Sequence, residues 1–312
     1  MESHTFSIPA GPEGITGLLW SGNDHLVISG PSETGLYSLT GALKSTTKQG
    51  ARRIFPYPGS RCVRILPYNK ELKEVSCPVD WHWDTQEITQ TPGCGVHYCY
   101  ACAFDADGNF AHGGEYYEWG YWSYIKASGE KITGSTSLPI PFSIAFSPDG
   151  SRLLVGGRWS HLAIWDLTDS APNQQQPLKK YTPDSLVSAV CWSPSGQYIA
   201  AGLLEKYQVE IWDTYTDQMV ISLPFGQGLV RNNYWVHRVS FIPGHNHLLM
   251  VSNTYGTWII NWREGRLIGS APGWTHFDFS PDGAFLALGS QHGELFIEGL
   301  AAYLESIASA EL

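Results

Sequence analysis

Charge is scarce in this 312-residue chain: Asp, Glu, Lys and Arg make up 15% of it, and only 19 residues are Lys or Arg. The formal net charge is −10, and the basic residues are scattered. Phosphate contacts supply most of the affinity of nucleic-acid binders, so no nucleic-acid partner is expected. An anionic lipid surface is disfavoured for the same reason. Long apolar runs are missing too. The longest, such as residues 198–204, are strand-sized and far short of the roughly 18 residues of a membrane span. The start, Met1-Glu2-Ser3-His4, has no basic segment followed by an apolar one, and no Asn-x-Ser/Thr sequon occurs. The expectation is an intracellular protein, cytoplasmic or nuclear, with no membrane partner.

Catalytic signatures are also lacking. There is no His-Glu-x-x-His, no Gly-x-x-x-x-Gly-Lys, no Gly-x-Gly-x-x-Gly and no Gly-x-Ser-x-Gly. His112-Gly113-Gly114 is only a fragment of an oxyanion loop. No cofactor is implied, and an enzyme is the less favoured reading. The six cysteines (62, 77, 94, 99, 102 and 191) are too few to form a disulfide framework in a chain this long. Cys94-x4-Cys99-x2-Cys102, with His97 inside it and His82 upstream, has zinc-like spacing. But residues 98–104 read as a strand, where residues three apart point to opposite faces. That reading makes Cys99 and Cys102 diverge, and the metal expectation is none. His245 and His247 read as a solvated turn.

What the chain does have is 33 glycines, 13 tryptophans and a repeat. Phe142-Ser143-Ile144-Ala145-Phe146-Ser147-Pro148-Asp149-Gly150 is followed by Leu153-Leu154-Val155-Gly156-Gly157 and Leu162-Ala163-Ile164-Trp165-Asp166. The same order recurs over 187–213, 239–262 and 277–297. Earlier copies open at Leu18 and Cys102. A worn copy begins at Cys62, with strands around 73–76 and 80–84. The openings fall roughly 40–50 residues apart, a propeller-like period. Each run is short, rich in β-branched and aromatic residues, and bounded by turn residues. A four-stranded sheet cannot bury both faces alone, so the copies must stack.

The stretches Phe-Ser-Pro-Asp-Gly…Ile-Trp-Asp and Trp-Ser-Pro-Ser-Gly…Ile-Trp-Asp resemble the WD40 family. The likeness runs from about residue 14 to 300 and is clearest over 142–166 and 187–213. It implies an all-β, closed β-propeller of about seven four-stranded blades, one domain over residues 1–300. Residues 5–9 would complete the last blade, and 301–312 would be a tail or short helix. Only Trp165-Asp166 and Trp212-Asp213 keep the family's Trp-Asp dipeptide, and its Gly-His is absent. The family's buried His–Asp–Ser–Trp network is therefore expected to be incomplete.

Applied to this chain, the resemblance also sorts the loops. Those between second and third strands share a face with the inter-blade segments. Residues 112–122 form one such loop, contributing Glu115, Tyr116, Tyr117, Glu118, Trp119, Tyr121 and Trp122. Arg158, Trp159 and His161 follow, then Tyr207, Arg231, Tyr234 and Trp235. Tyr255, Trp274 and His292 complete the set. Aromatics with Arg are the usual composition of binding hot spots. The resemblance thus implies a scaffold that binds a protein or peptide on this aromatic face. A small molecule or a reaction in an axial pocket, with Glu115, Glu118 and His161 as polar groups, is the alternative. An aromatic cage for methyl-lysine or a histone tail is the third reading.

Overall fold

The computed structural model describes residues 4–7, 14–56, 61–67, 78–90, 98–116, 118–168, 176–204, 206–225 and 235–310. The fold is an all-β, seven-bladed propeller with four antiparallel strands in each blade. One helix, Leu300–Ala310, follows the last strand.

Blade 1 holds Gly17–Ser21, His25–Ser29, Thr34–Ser38 and Leu43–Thr47. Blade 2 holds Ala51–Pro56, Cys62–Pro67, Val79–His82 and Glu87–Gln90. Blade 3 holds Tyr98–Phe104, Phe110–Tyr116, Trp119–Ile125 and Lys131–Leu138. Blade 4 holds Pro141–Phe146, Arg152–Gly157, His161–Asp166 and Lys179–Tyr181. Blade 5 holds Val187–Trp192, Tyr198–Leu203, Gln208–Asp213 and Gln218–Pro224. Blade 6 holds Val236–Ile242, His245–Asn253, Gly256–Asn261 and Arg266–Pro272. Blade 7 holds Trp274–Phe279, Phe285–Ser290 and Glu294–Gly299, and its fourth strand is His4–Ser7.

The chain divides into two compact units. One comprises residues 1–91, 255–257 and 268–312, and the other 92–254 and 258–267. In the second unit the first strands of blades 3 to 6 pack in succession. The Ser-Pro-x-Gly motif explains itself locally. Ser147 Oγ donates to Asp149 Oδ1 (2.6 Å) and accepts from Arg152 N (2.9 Å), starting the second strand. Gly150 N closes the turn onto Ser147 O at 2.9 Å, with φ at 70°. Ser193 accepts from Tyr198 N in the same way at 2.9 Å. The hydroxyls of Ser147 and Ser151 hold the Asp149 carboxyl below its ordinary range.

The second strands of blades 4 and 5, Arg152–Gly157 and Tyr198–Leu203, are buried on both faces and read as continuous apolar runs. Trp122 and Trp165 meet at 5.2 Å between blades 3 and 4. Asp166, after Trp165, accepts from Thr168 N at 2.8 Å and shapes the following turn. Among the described residues the buried indole N–H groups of Trp81, Trp122 and Trp165 meet no acceptor.

Neighbouring blades are pinned by first-strand polar groups. Val190 N donates to Ser143 Oγ (3.1 Å) and Val236 N to Ser188 Oγ (3.1 Å). Trp192 Nε1 donates to Ala145 O at 3.2 Å. Small residues permit the approach: a Cβ on Gly156 would lie 2.5 Å from Val187, and one on Gly202 2.6 Å from Val236.

The first unit uses the same devices. Trp20 N donates to Asp278 Oδ2 (2.8 Å) and its Nε1 to Asp278 O (3.2 Å), joining blades 1 and 7. Blade 2 corrects the repeat reading. Cys62–Pro67 is its second strand, not its first, and Ala51–Pro56 opens the blade. Arg52 and Arg53 disguise that opening strand as a polar segment. The expected strand at 73–76 lies outside the described residues. In the same blade Arg64 is buried because it forks onto its cross-strand partner Asp80 at 2.6 and 2.8 Å.

Candidate interaction surface

In the second unit, the hairpins joining second and third strands lie at the end where each first strand begins. In blades 4 and 5 the tip is tied to a segment between blades. Arg158 N donates to Ile140 O (2.9 Å), Leu204 N to Leu186 O (2.8 Å), and Phe225 N to Tyr207 O (2.7 Å). The tips are built from residues that disfavour their own conformation. Glu118 (φ 70°), Trp159 (57°), Ser160 (54°) and Tyr207 (48°) all occupy the left-handed region. That region costs an L-residue roughly 1–2 kcal/mol. Such outliers motivate a functional reading.

The expected long aromatic loop at 112–122 is mostly strand. Phe110–Tyr116 and Trp119–Ile125 pair continuously from Phe110↔Ile125 to Tyr116↔Trp119. Trp122, 1% exposed, and Tyr121 are therefore core side chains of a third strand, not surface rings. Trp119 at the tip is 54% exposed, beside the exposed Glu118. Trp159 on the next blade is 60% exposed, with the Arg158 guanidinium 5.6 Å from its ring centre.

Glu115 is half-buried and accepts from Tyr100 Oη at 3.0 Å. Burial, aided by the Lys180 cation, pushes His161 down to about 4, so its imidazole is neutral at physiological pH. Its Nε2 has no hydrogen-bond partner among the described residues. Tyr207 packs edge-on against Phe225 at 6.2 Å. Trp235 is half-buried against Phe142, with ring centres 5.1 Å apart. Tyr117, Arg231 and Tyr234 lie outside the described residues, as does the Tyr116 side chain.

Tyr255, Trp274 and His292 belong to the first unit. Gly273 N donates to Tyr255 O at 2.8 Å. Trp274 tilts onto Phe296 at 5.9 Å. His292 is exposed on a hairpin tip, its backbone N–H donating to Ser290 Oγ at 3.2 Å.

Two contributors escape the sequence. Tyr100 and Phe142 meet edge-on at 6.2 Å, so a chain of rings runs Tyr100–Phe142–Trp235 behind the exposed tips. Both read as ordinary first-strand apolars, and their only signal is an aromatic at the start of each strand. The exposed Tyr215 (70%) lies in the turn after the third strand of blade 5, at the end opposite these tips, and the exposed Met219 lies on the outer strand that follows. The described residues hold no cluster of three His, Cys, Asp or Glu able to hold a metal. No described helix is long and apolar enough to cross a membrane.

Seven four-stranded sheets whose second and third strands are joined by hairpin tips define a propeller. Comparison with known proteins finds a likeness over part of it: the family model for the WD domain, G-beta repeat, matches residues 130–166 and 175–213, about a quarter of the chain. Each match starts before the outer strand of one blade and ends with the third strand of the next. The small ribosomal subunit protein RACK1 of Glycine max is 30% identical over 81 residues, covering 26% of this chain. The matched stretch spans 23% of that relative's length.

Proposed function

We propose that this protein is a non-catalytic interaction platform that docks a protein or peptide on the hairpin tips of blades 3 to 5. One observation carries the reading: Trp119 and Trp159, each more than half exposed, stand on strained tips of adjacent blades. A tryptophan kept in water forgoes stabilisation of roughly 1.5–3 kcal/mol that burial of a large apolar side chain would give. Its retention on a strained turn is better explained by a partner that covers it. Arg158 beside Trp159 supplies the charged member of a hot spot. WD40 repeats support this class of role, since propellers of this kind bind protein partners. The ribosomal protein is similar to this chain over 81 residues. A net charge of −10 favours contact with protein rather than RNA.

The test is affinity capture with the wild type, the Trp119→Ala/Trp159→Ala double variant, and Tyr215→Ala as a surface control. Truncating a hot-spot tryptophan costs about 2 kcal/mol or more, roughly thirtyfold in affinity. A partner held by wild type and by Tyr215→Ala should be lost from the double variant. Identical retention by all three proteins removes the proposal.

A further inference from the structure

Cys99 and Cys102 do not diverge. Their sulfurs lie 3.5 Å apart on one face of the first strand of blade 3. The cause is a β-bulge. Cys99 pairs with Gly114, Ala101 with Gly113 and Cys102 with His112, so Tyr100 is an extra residue. The two cysteines thus face partners two positions apart, and period-two alternation puts them on the same side. Cys62 and Cys191 offer a contrast. Burial pushes both of those thiols up to about 12, and neither meets another sulfur among the described residues.

We propose that Cys99 and Cys102 form a dithiol modification site, which a small neutral peroxide converts to an intrastrand disulfide. One thiolate attacks a peroxide oxygen, the O–O bond breaks, and a sulfenic acid and hydroxide form. The second sulfur then displaces the sulfenic oxygen, which leaves as water. Two thiols and one hydrogen peroxide give one disulfide and two waters, with sulfur oxidised and oxygen reduced. A disulfide needs about 2.05 Å between sulfurs, so the pair must close by roughly 1.5 Å. Both side chains are buried, at 6% and 5% exposure, which excludes bulky disulfides and selects a small uncharged oxidant. The bulge residue Tyr100 holds Glu115 and touches Phe142, so closing the bond would tighten the strand under the ring chain. The chemistry itself does not depend on the docking reading.

The experiment treats the reduced full-length chain with one molar equivalent of hydrogen peroxide, then alkylates the remaining thiols. Chymotryptic cleavage after Tyr100 separates the two sulfurs, so their disulfide appears as a linked pair of peptides. The expected result is that pair, formed at least about tenfold faster than alkylation is lost at Cys62 or Cys191, and reversed by dithiothreitol. Cys99→Ser and Cys102→Ser should each abolish it and leave the other thiol sulfenylated. Equal alkylation of all cysteines after treatment overturns the proposal. So does a disulfide that joins Cys99 or Cys102 to Cys77 or Cys94.

Discussion

At position 210 blade 5 buries a carboxyl where blade 4 has Ala163, and the three residues that follow in the two third strands match, Ile-Trp-Asp for Ile-Trp-Asp. Glu210 is 2% exposed, and its Oε1 accepts from Asp184 N at 3.2 Å. Burial raises its pKa above the ordinary 4.5, and the Asp184 N–H and Trp212 only partly offset that. The folded chain therefore holds this proton more tightly than the unfolded chain does. Wild type gains stability from the group as pH falls through the raised pKa toward 4.5, and loses it as pH rises. Glu210→Gln keeps an acceptor for Asp184 N and removes the charge. The variant should melt higher at pH 8, by about 1–2 °C for each kcal/mol gained. That gain should vanish by pH 4. Thermal melts across this range check it, and a gain that grows on acidification would contradict the sign.

Among elements, strands buried on both faces were the legible ones. Residues 152–157 and 198–203 announce themselves as apolar runs after a Ser-Pro-x-Gly turn, because the same contacts that bury them dictate their composition. Outer strands such as Glu87–Gln90 are exposed along their whole length, so nothing selects a pattern there. The bulge at Tyr100 was hidden for a different reason: alternation rules assume that no residue is inserted. For the candidate surface, composition drew attention to the aromatic segments. Which rings face water depends on pairing register. Trp122 and Trp119 are three residues apart in one strand, yet one is core and the other solvent. The hairpin at 158–160 yields a prediction of its own. Asn and Gly tolerate the left-handed region that Trp159 and Ser160 occupy. Trp159→Asn with Ser160→Gly should raise stability by about 1 kcal/mol while abolishing partner retention. Denaturant titration alongside capture reads both. Loss of stability would mean that the tip is held by packing rather than kept strained for binding.

Across the whole molecule, the longest-range pairing joins the two ends of the chain. His4–Ser7 lies antiparallel to the third strand of blade 7, from His4↔Ile297 to Ser7↔Glu294. Closing a free loop of that length costs about 5 kcal/mol. Four residues of ladder return only about 1 kcal/mol per hydrogen bond. The strand therefore cannot nucleate the blade, and it docks onto three strands that already stand. Its value lies in covering an edge. Without it, Glu294–Gly299 would offer unpaired backbone to another chain. Deletion of residues 1–7 should leave the β-sheet signal of circular dichroism largely intact. Tm should fall by at least about 5 °C, as expected for a loss of a few kcal/mol. Sedimentation should become concentration-dependent as the bare edges pair with each other. A truncated chain that stays monomeric and melts with the wild type would show that blade 7 is complete with three strands, and that the amino-terminal strand contributes nothing to it.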